Sequence, residues 1–140
     1  MSIPLSSGIS FEEDEYGTAH NAASDSAEDF IGDWLLDDVQ GNTEYLVFLV
    51  DLFQQFRKEH AREPYIARGN AWRVEIAPDA VEFYNMYTEL ACTVLPEFAL
   101  SVMRTYWHYF ENPEVFEDPT FTEEINNFRE KYGRDPEIPW

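Results

Sequence analysis

The stretch from Pro64 to Met86 constrains this chain more than any other, because it lays out three strands with two tight turns. Tyr65-Ile66-Ala67-Arg68 runs into Gly69-Asn70, Ala71-Trp72-Arg73-Val74-Glu75-Ile76 runs into Ala77-Pro78-Asp79, and Ala80-Val81-Glu82-Phe83-Tyr84-Asn85 completes a meander. Trp72, Val74 and Ile76 alternate with Arg73 and Glu75, the period of a strand with one buried face. Gly69-Asn70 suits a two-residue hairpin loop in which glycine takes the positive φ of a II′ turn. Pro78-Asp79 suits a turn in which proline pre-sets φ.

These turns predict a register. Pairing Arg68 with Ala71 sets Tyr65 and Ala67 against Val74 and Trp72. Pairing Ala77 with Ala80 sets Ile76 against Val81, Val74 against Phe83 and Trp72 against Asn85. The apolar members then share one face, and a slip of one residue would turn them all to water. Three strands cannot stand alone, so helices must cover that face.

The helical periods supply the cover. Ser26 to Asp38 reads as a helix capped by Ser26, with Phe30, Ile31, Trp34 and Leu35 inward and Asp29, Asp33 and Asp37 in a four-residue stripe on another face. Thr43 to Ala61 is apolar around much of its circumference and reads as a central helix against the sheet. Thr93 to Phe110 reads as a third, with Pro96 in its first turn. Thr120-Phe121-Thr122-Glu123 matches a capping box and starts a fourth, closed by Gly133. The expected fold is α+β: a three-stranded antiparallel sheet, about residues 64–86, packed against three to four helices. Residues 1–24, with the acidic run Glu12-Glu13-Asp14-Glu15, read as a largely irregular segment that Phe11 and Tyr16 tether to a single domain over 25–140.

Charge narrows the function. The chain holds 28 acids against 9 Lys and Arg, a formal net of −19. Residues 1–56 carry twelve acids and no Lys or Arg, and Thr105 to Phe128 carries six acids and none. Such a chain lacks the basic footprint of a nucleic-acid binder and the basic patch that holds a protein on anionic lipid. It suits a basic protein partner, with no direct nucleic acid and no membrane. A lone Cys92 excludes an internal disulfide and gives no zinc spacing, and a reducing, cytoplasmic setting follows from it. The first residues show no basic leader followed by an apolar run.

Catalytic patterns are missing. There is no phosphate-binding loop, dinucleotide fingerprint, nucleophile elbow or zincin helix. His20, His60 and His108 share no ligand spacing, and no segment has the calcium-loop pattern. The reading is a non-enzyme without metal or cofactor that works by its surface. Two patches are its candidates for partner binding. One is the helical stripe Asp29, Asp33, Asp37 with Asp38 beside it, whose four-residue step of about 6 Å approaches the spacing of phosphates along a strand. The other is the connector Glu111, Glu114, Glu117 and Asp118, flanked by Tyr109 and Phe116, where acids alternate with aromatics as they do at binding hot spots.

Acidity, small size and an α/β arrangement with a short antiparallel sheet resemble bacterial immunity proteins of the colicin and contact-dependent inhibition kind. The resemblance is one of type and transfers no residue roles. It implies an inhibitor that covers the basic face of a nuclease toxin. A nucleic-acid mimic that blocks a host defence complex, as phage anti-restriction and anti-CRISPR proteins do, shares the same charge pattern and stays open.

Overall fold

The structure is a computed structural model, and it describes residues 2–59 and 62–140. The chain is α+β, with all strands antiparallel in two sheets. A hairpin of β1 (Ile9–Glu13) and β2 (Ala19–Ala23) leads into α1 (Ser26–Trp34), which continues as a π-helical segment over Leu35–Val39. Helix α2 (Thr43–Lys58) precedes the meander β3 (Tyr65–Arg68), β4 (Trp72–Ile76), β5 (Val81–Asn85) and β6 (Ala91–Val94). Helices α3 (Pro96–Phe110) and α4 (Thr122–Tyr132) follow.

The larger sheet has four strands in the order β3-β4-β5-β6, not three. The missed strand lies where the sequence suggested the start of a helix at Thr93. Its cause is Pro96, which sits at the first helical position and drives the residue before it into extended backbone. Leu95 has φ −72° and ψ 149°, so α3 begins one residue later and Ala91–Val94 stays free to pair with β5.

The β4–β5 register is the one the turns predict: Ile76 faces Val81, Val74 faces Phe83 and Trp72 faces Asn85. Trp72, Val74, Ile76, Val81 and Phe83 are all buried on the inner face. The β3–β4 register is two residues away from the predicted one, with Ala67 against Val74 and Arg68 against Arg73. A two-residue shift preserves the faces, so the apolar pattern could not exclude it. The loop is correspondingly longer, closed by Gly69 N–H donating to Trp72 O at 3.0 Å. Gly69 is also not among the residues with positive φ. Glycine is needed there for space: a Cβ would sit 2.1 Å from Asp38 Oδ2.

By backbone contact, α1 lies against β5 and β6, while α2 packs on α3 and α4. Trp34 joins the layers, edge-on to Phe83 at 5.1 Å and stacked with Phe53 at 6.1 Å. Helix α2 was expected to reach Ala61; it is described to Lys58 with Glu59 as its cap, and residues 60–61 lie outside the described residues. Gly41 (φ 73°) follows the preceding segment and Asn42 caps α2 by accepting from Tyr45 N–H.

Three local expectations are corrected. Asp25, not Ser26, caps α1, accepting from Glu28 N–H at 2.8 Å. The capping box at Thr120 does not form: Phe121 takes the cap position with φ 57°, and the Thr120 hydroxyl bonds Asp118 and Thr122 instead. The segment 1–24 is not largely irregular. Ile9 and Phe11 alternate into the core, and Asp14 accepts from Tyr16 and Thr18 N–H to close the hairpin around Gly17 (φ 78°). Phe11 tethers the segment as expected, whereas Tyr16 is 85% exposed and does not.

The last residues are held as firmly. Asp51 is a buried acid on α2 that receives both Arg134 guanidinium NH groups at 2.9 Å and Glu137 N–H at 2.8 Å. Trp140 then packs edge-on against Trp107 at 5.4 Å.

Candidate functional site

The two candidate patches differ in what their carboxylates already do. In the helical stripe, Asp29 and Asp37 are exposed and Asp33 and Asp38 half-buried, but Asp33, Asp37 and Asp38 each bond inward or across. Asp33 is half-buried and accepts from the Asn21 side-chain amide at 3.1 Å, fastening α1 to β2. Burial, and then the charge of Asp29, push its pKa up. Asp37 accepts from the Trp72 indole N–H at 3.0 Å. Asp38 accepts from Ala71 N–H at 3.0 Å and Trp72 N–H at 3.1 Å, filling the β3–β4 loop that Gly69 leaves open. Burial raises its pKa even though these bonds oppose the shift.

The π-helical segment makes this possible. Gln40 N–H reaches back five residues to Leu35 O at 2.9 Å. The extra residue in the turn re-aims Asp37 and Asp38 so that both meet Trp72. It also breaks the even four-residue step that suggested a run of phosphates. The sequence gives no period by which such a bulge is read.

The connector is built the other way round. Two aromatic side chains anchor it from below. Phe116 lies edge-on to Tyr109 at 5.1 Å and meets Phe110 at 4.9 Å. Phe121 is buried and stacks on Trp107 at 3.9 Å with only 9° between the rings. Asn112 turns the chain, its side chain accepting from Glu114 N–H and its carbonyl from Val115 and Phe116 N–H. Between these anchors Glu111, Glu114, Glu117 and Asp118 are exposed. Among the described residues no Lys or Arg comes within ion-pair distance of them; His108 Nδ1 lies 3.5 Å from Glu111. Asp118 accepts from the Thr120 hydroxyl and N–H, which lowers its pKa and keeps it charged.

Several of the chain's own bases are engaged elsewhere. Arg57 pairs with Glu97, Lys58 with Glu137, Arg62 with Glu59 and Arg73 with Glu82. The connector therefore keeps its negative field, and that field meets a second acidic segment. The hairpin tip with Glu12, Glu13 and Glu15 stands beside the end of α3, where Phe11 packs on Tyr106 at 4.8 Å. A cavity of ≈ 380 Å³ lies between tip, α3 and connector, lined by Glu13, Leu36, Gln40, Tyr106, Tyr109 and Phe116 among others. A second of ≈ 500 Å³ lies on the other side of Phe116, bordered by Asn42, Glu44, Glu117, Asp118, Glu123 and Glu124. In that second cavity one carboxylate oxygen each of Asp118, Glu123 and Glu124 falls within 4.8 Å of the others. These are hard oxygen donors of the type that hold calcium or magnesium. Asp118 and Glu123 are open to solvent, Glu124 is half-buried, and Asp118 already serves Thr120.

The structure thus brings Tyr109, Phe116 and the connector acids together, separates them from Asp29, Asp33, Asp37 and Asp38, and adds Glu13 and Tyr106. Glu13 was hidden in a run of four acids; the alternation of Ile9 and Phe11 before it was the available sign of a strand that would carry it to this place. Compared with known proteins, the chain matches no family model, no curated protein and no solved structure. Among the described residues no helix is long and apolar enough to cross a membrane.

Proposed function

We propose that this is a non-catalytic inhibitor that binds a basic protein surface, of the immunity type that blocks a nuclease toxin, with the connector and hairpin tip as its contact face. The observation that carries this reading is the connector itself. Its four carboxylates are exposed, unpaired with Lys or Arg among the described residues, and mounted on a rigid aromatic base. Acids so placed steer a cationic partner over long range, and the half-exposed rings beneath supply the short-range contact.

A nucleic-acid mimic would draw on the helical stripe. Asp33, Asp37 and Asp38 already serve Asn21, Trp72 and the β3–β4 loop, which supports the immunity-type reading over mimicry. The test adds purified protein to a panel of basic nuclease toxins. Inhibition whose onset slows steeply as salt approaches the physiological range, where the Debye length is about 8 Å, is the expected result. Turnover of substrate by this chain alone, or inhibition indifferent to salt, would overturn the reading.

A further inference from the structure

The cavity between hairpin tip and connector has a composition that asks for one kind of occupant. Tyr106 and Tyr109 present nearly parallel rings, 6.2 Å apart with 17° between them, and Phe116 stands across Tyr109 at 83°. The Tyr106 hydroxyl is engaged, accepting from Gly41 N–H at 3.1 Å. The Tyr109 hydroxyl is buried and has no partner at full hydrogen-bond geometry, with the Glu13 carboxylate the acceptor beside it. Burial, followed by the neighbouring Glu13 carboxylate, pushes its pKa up to about 12, which places that carboxylate at the edge of the ring. Glu13 contributes the charge, and among the described residues no Lys or Arg lies within ion-pair distance of it.

An aromatic wall with an unneutralised carboxylate at its edge favours a cation over any neutral group. The flat walls favour a planar cation. Guanidinium is weakly hydrated, stacks on aromatic faces and offers paired N–H donors to a carboxylate, whereas an ammonium is compact and strongly hydrated. Glu13 is the acid of the hairpin tip best placed to meet it, because the neighbouring Asp14 is already taken by Tyr16, Thr18 and His20.

We infer that this cavity is a receptor for an arginine side chain of the partner, stacked on the face of Tyr109 with Phe116 closing its edge and paired with Glu13. The inference rests on the reading of the protein as a binder of basic surfaces and names the group that such a partner inserts.

The experiment uses the full chain with acetyl-arginine amide and its lysine and citrulline counterparts, followed by aromatic and backbone chemical shifts. The arginine probe should shift the rings of Tyr109 and Phe116, the lysine probe more weakly, and neutral citrulline not at all. Glu13→Gln, at an exposed position, should weaken the arginine probe about tenfold with an unchanged melting temperature, and Tyr109→Leu, which removes the stacking ring, should weaken it severalfold. Equal binding of citrulline, an unaffected Glu13→Gln variant, or shifts confined to other surfaces would overturn the receptor. A parallel titration with protamine, an arginine-rich protein, separates the two levels. If protamine binds wild type and Glu13→Gln alike while Glu114→Lys with Glu117→Lys weakens it, the basic-partner reading stands and the arginine receptor fails. If protamine does not bind wild type at low salt, the reading itself fails.

Discussion

The helical stripe and the connector look alike as strings of letters, both acidic, both without a base nearby, yet the fold uses them in opposite ways. Asp33, Asp37 and Asp38 are half-buried or cross-bonded and hold the hairpin, the indole of Trp72 and the β3–β4 loop in place. Glu111, Glu114, Glu117 and Asp118 face water above an aromatic base. The difference teaches that an acid's spacing says little until its donors are known. Asp and Glu near the end of a helix are as able to cap a distant loop as to meet a partner.

Breaking the loop support should give the largest effect. Asp38→Ala leaves the N–H groups of Ala71 and Trp72 without their acceptor, a loss of about 1–3 kcal/mol for donors in a partly buried loop. Gly69→Ala drives a Cβ into the same carboxylate and should cost a similar amount, about 1–3 kcal/mol. Thermal unfolding checks both, and a melting temperature equal to wild type for both would remove the structural role assigned to Asp38.

A smaller and opposite effect is expected at Asp33. Asn can still accept from Asn21 while the repulsion by Asp29 and Asp37 disappears, so Asp33→Asn should stabilise by a few tenths of a kcal/mol, roughly the size of a like-charge helix pair. The pH dependence has a definite sign. Asp33 and Asp38 have raised pKa values in the folded state, so there the folded protein binds more protons than the unfolded chain just above the ordinary carboxylate range. Stability therefore rises as pH falls from neutral toward that range. It should turn down as pH falls through the ordinary carboxylate range, where the unfolded chain takes up protons that Asp14, Asp25, Asp118 and Glu137, whose values are lowered, still refuse. Melting curves across this window should show a shallower rise in Asp33→Asn than in wild type.

The smallest effect belongs to the connector. Glu114→Gln with Glu117→Gln removes two exposed charges that touch no base, and stability should stay within about 0.5 kcal/mol. A large loss would mean that these acids are structural like the stripe.

How much of this was legible can be judged residue by residue. The buried face of β4 and β5 could be read because period-two alternation and the Pro78-Asp79 turn specify the same register. The β3 register could not, because a shift of two keeps Ala67 and Tyr65 on the same side and only the Asp38 carboxylate inside the loop decides between the two. Strand β6 was obscured by Thr93, which resembles a helix cap; the extended preference of Leu95 before Pro96 was the stronger signal. Of the candidate site, the connector with Tyr109 and Phe116 was visible as acids interleaved with aromatics. Glu13 and Tyr106 were not, since their proximity depends on a hairpin folding back onto α3 through Phe11.

The central claim is that the connector meets the partner while the stripe holds the fold, and one paired measurement tests it most directly. Two charge-reversed proteins, Asp33→Lys with Asp37→Lys and Glu114→Lys with Glu117→Lys, are compared for melting temperature and for association rate with protamine at low salt. The stripe variant should lose several degrees in melting temperature, since Trp72 and Asn21 lose their acceptors, and keep its association rate within about threefold. The connector variant should keep its melting temperature and associate about tenfold more slowly. A stripe variant that melts like wild type and no longer associates, beside a connector variant that associates normally, would contradict the account.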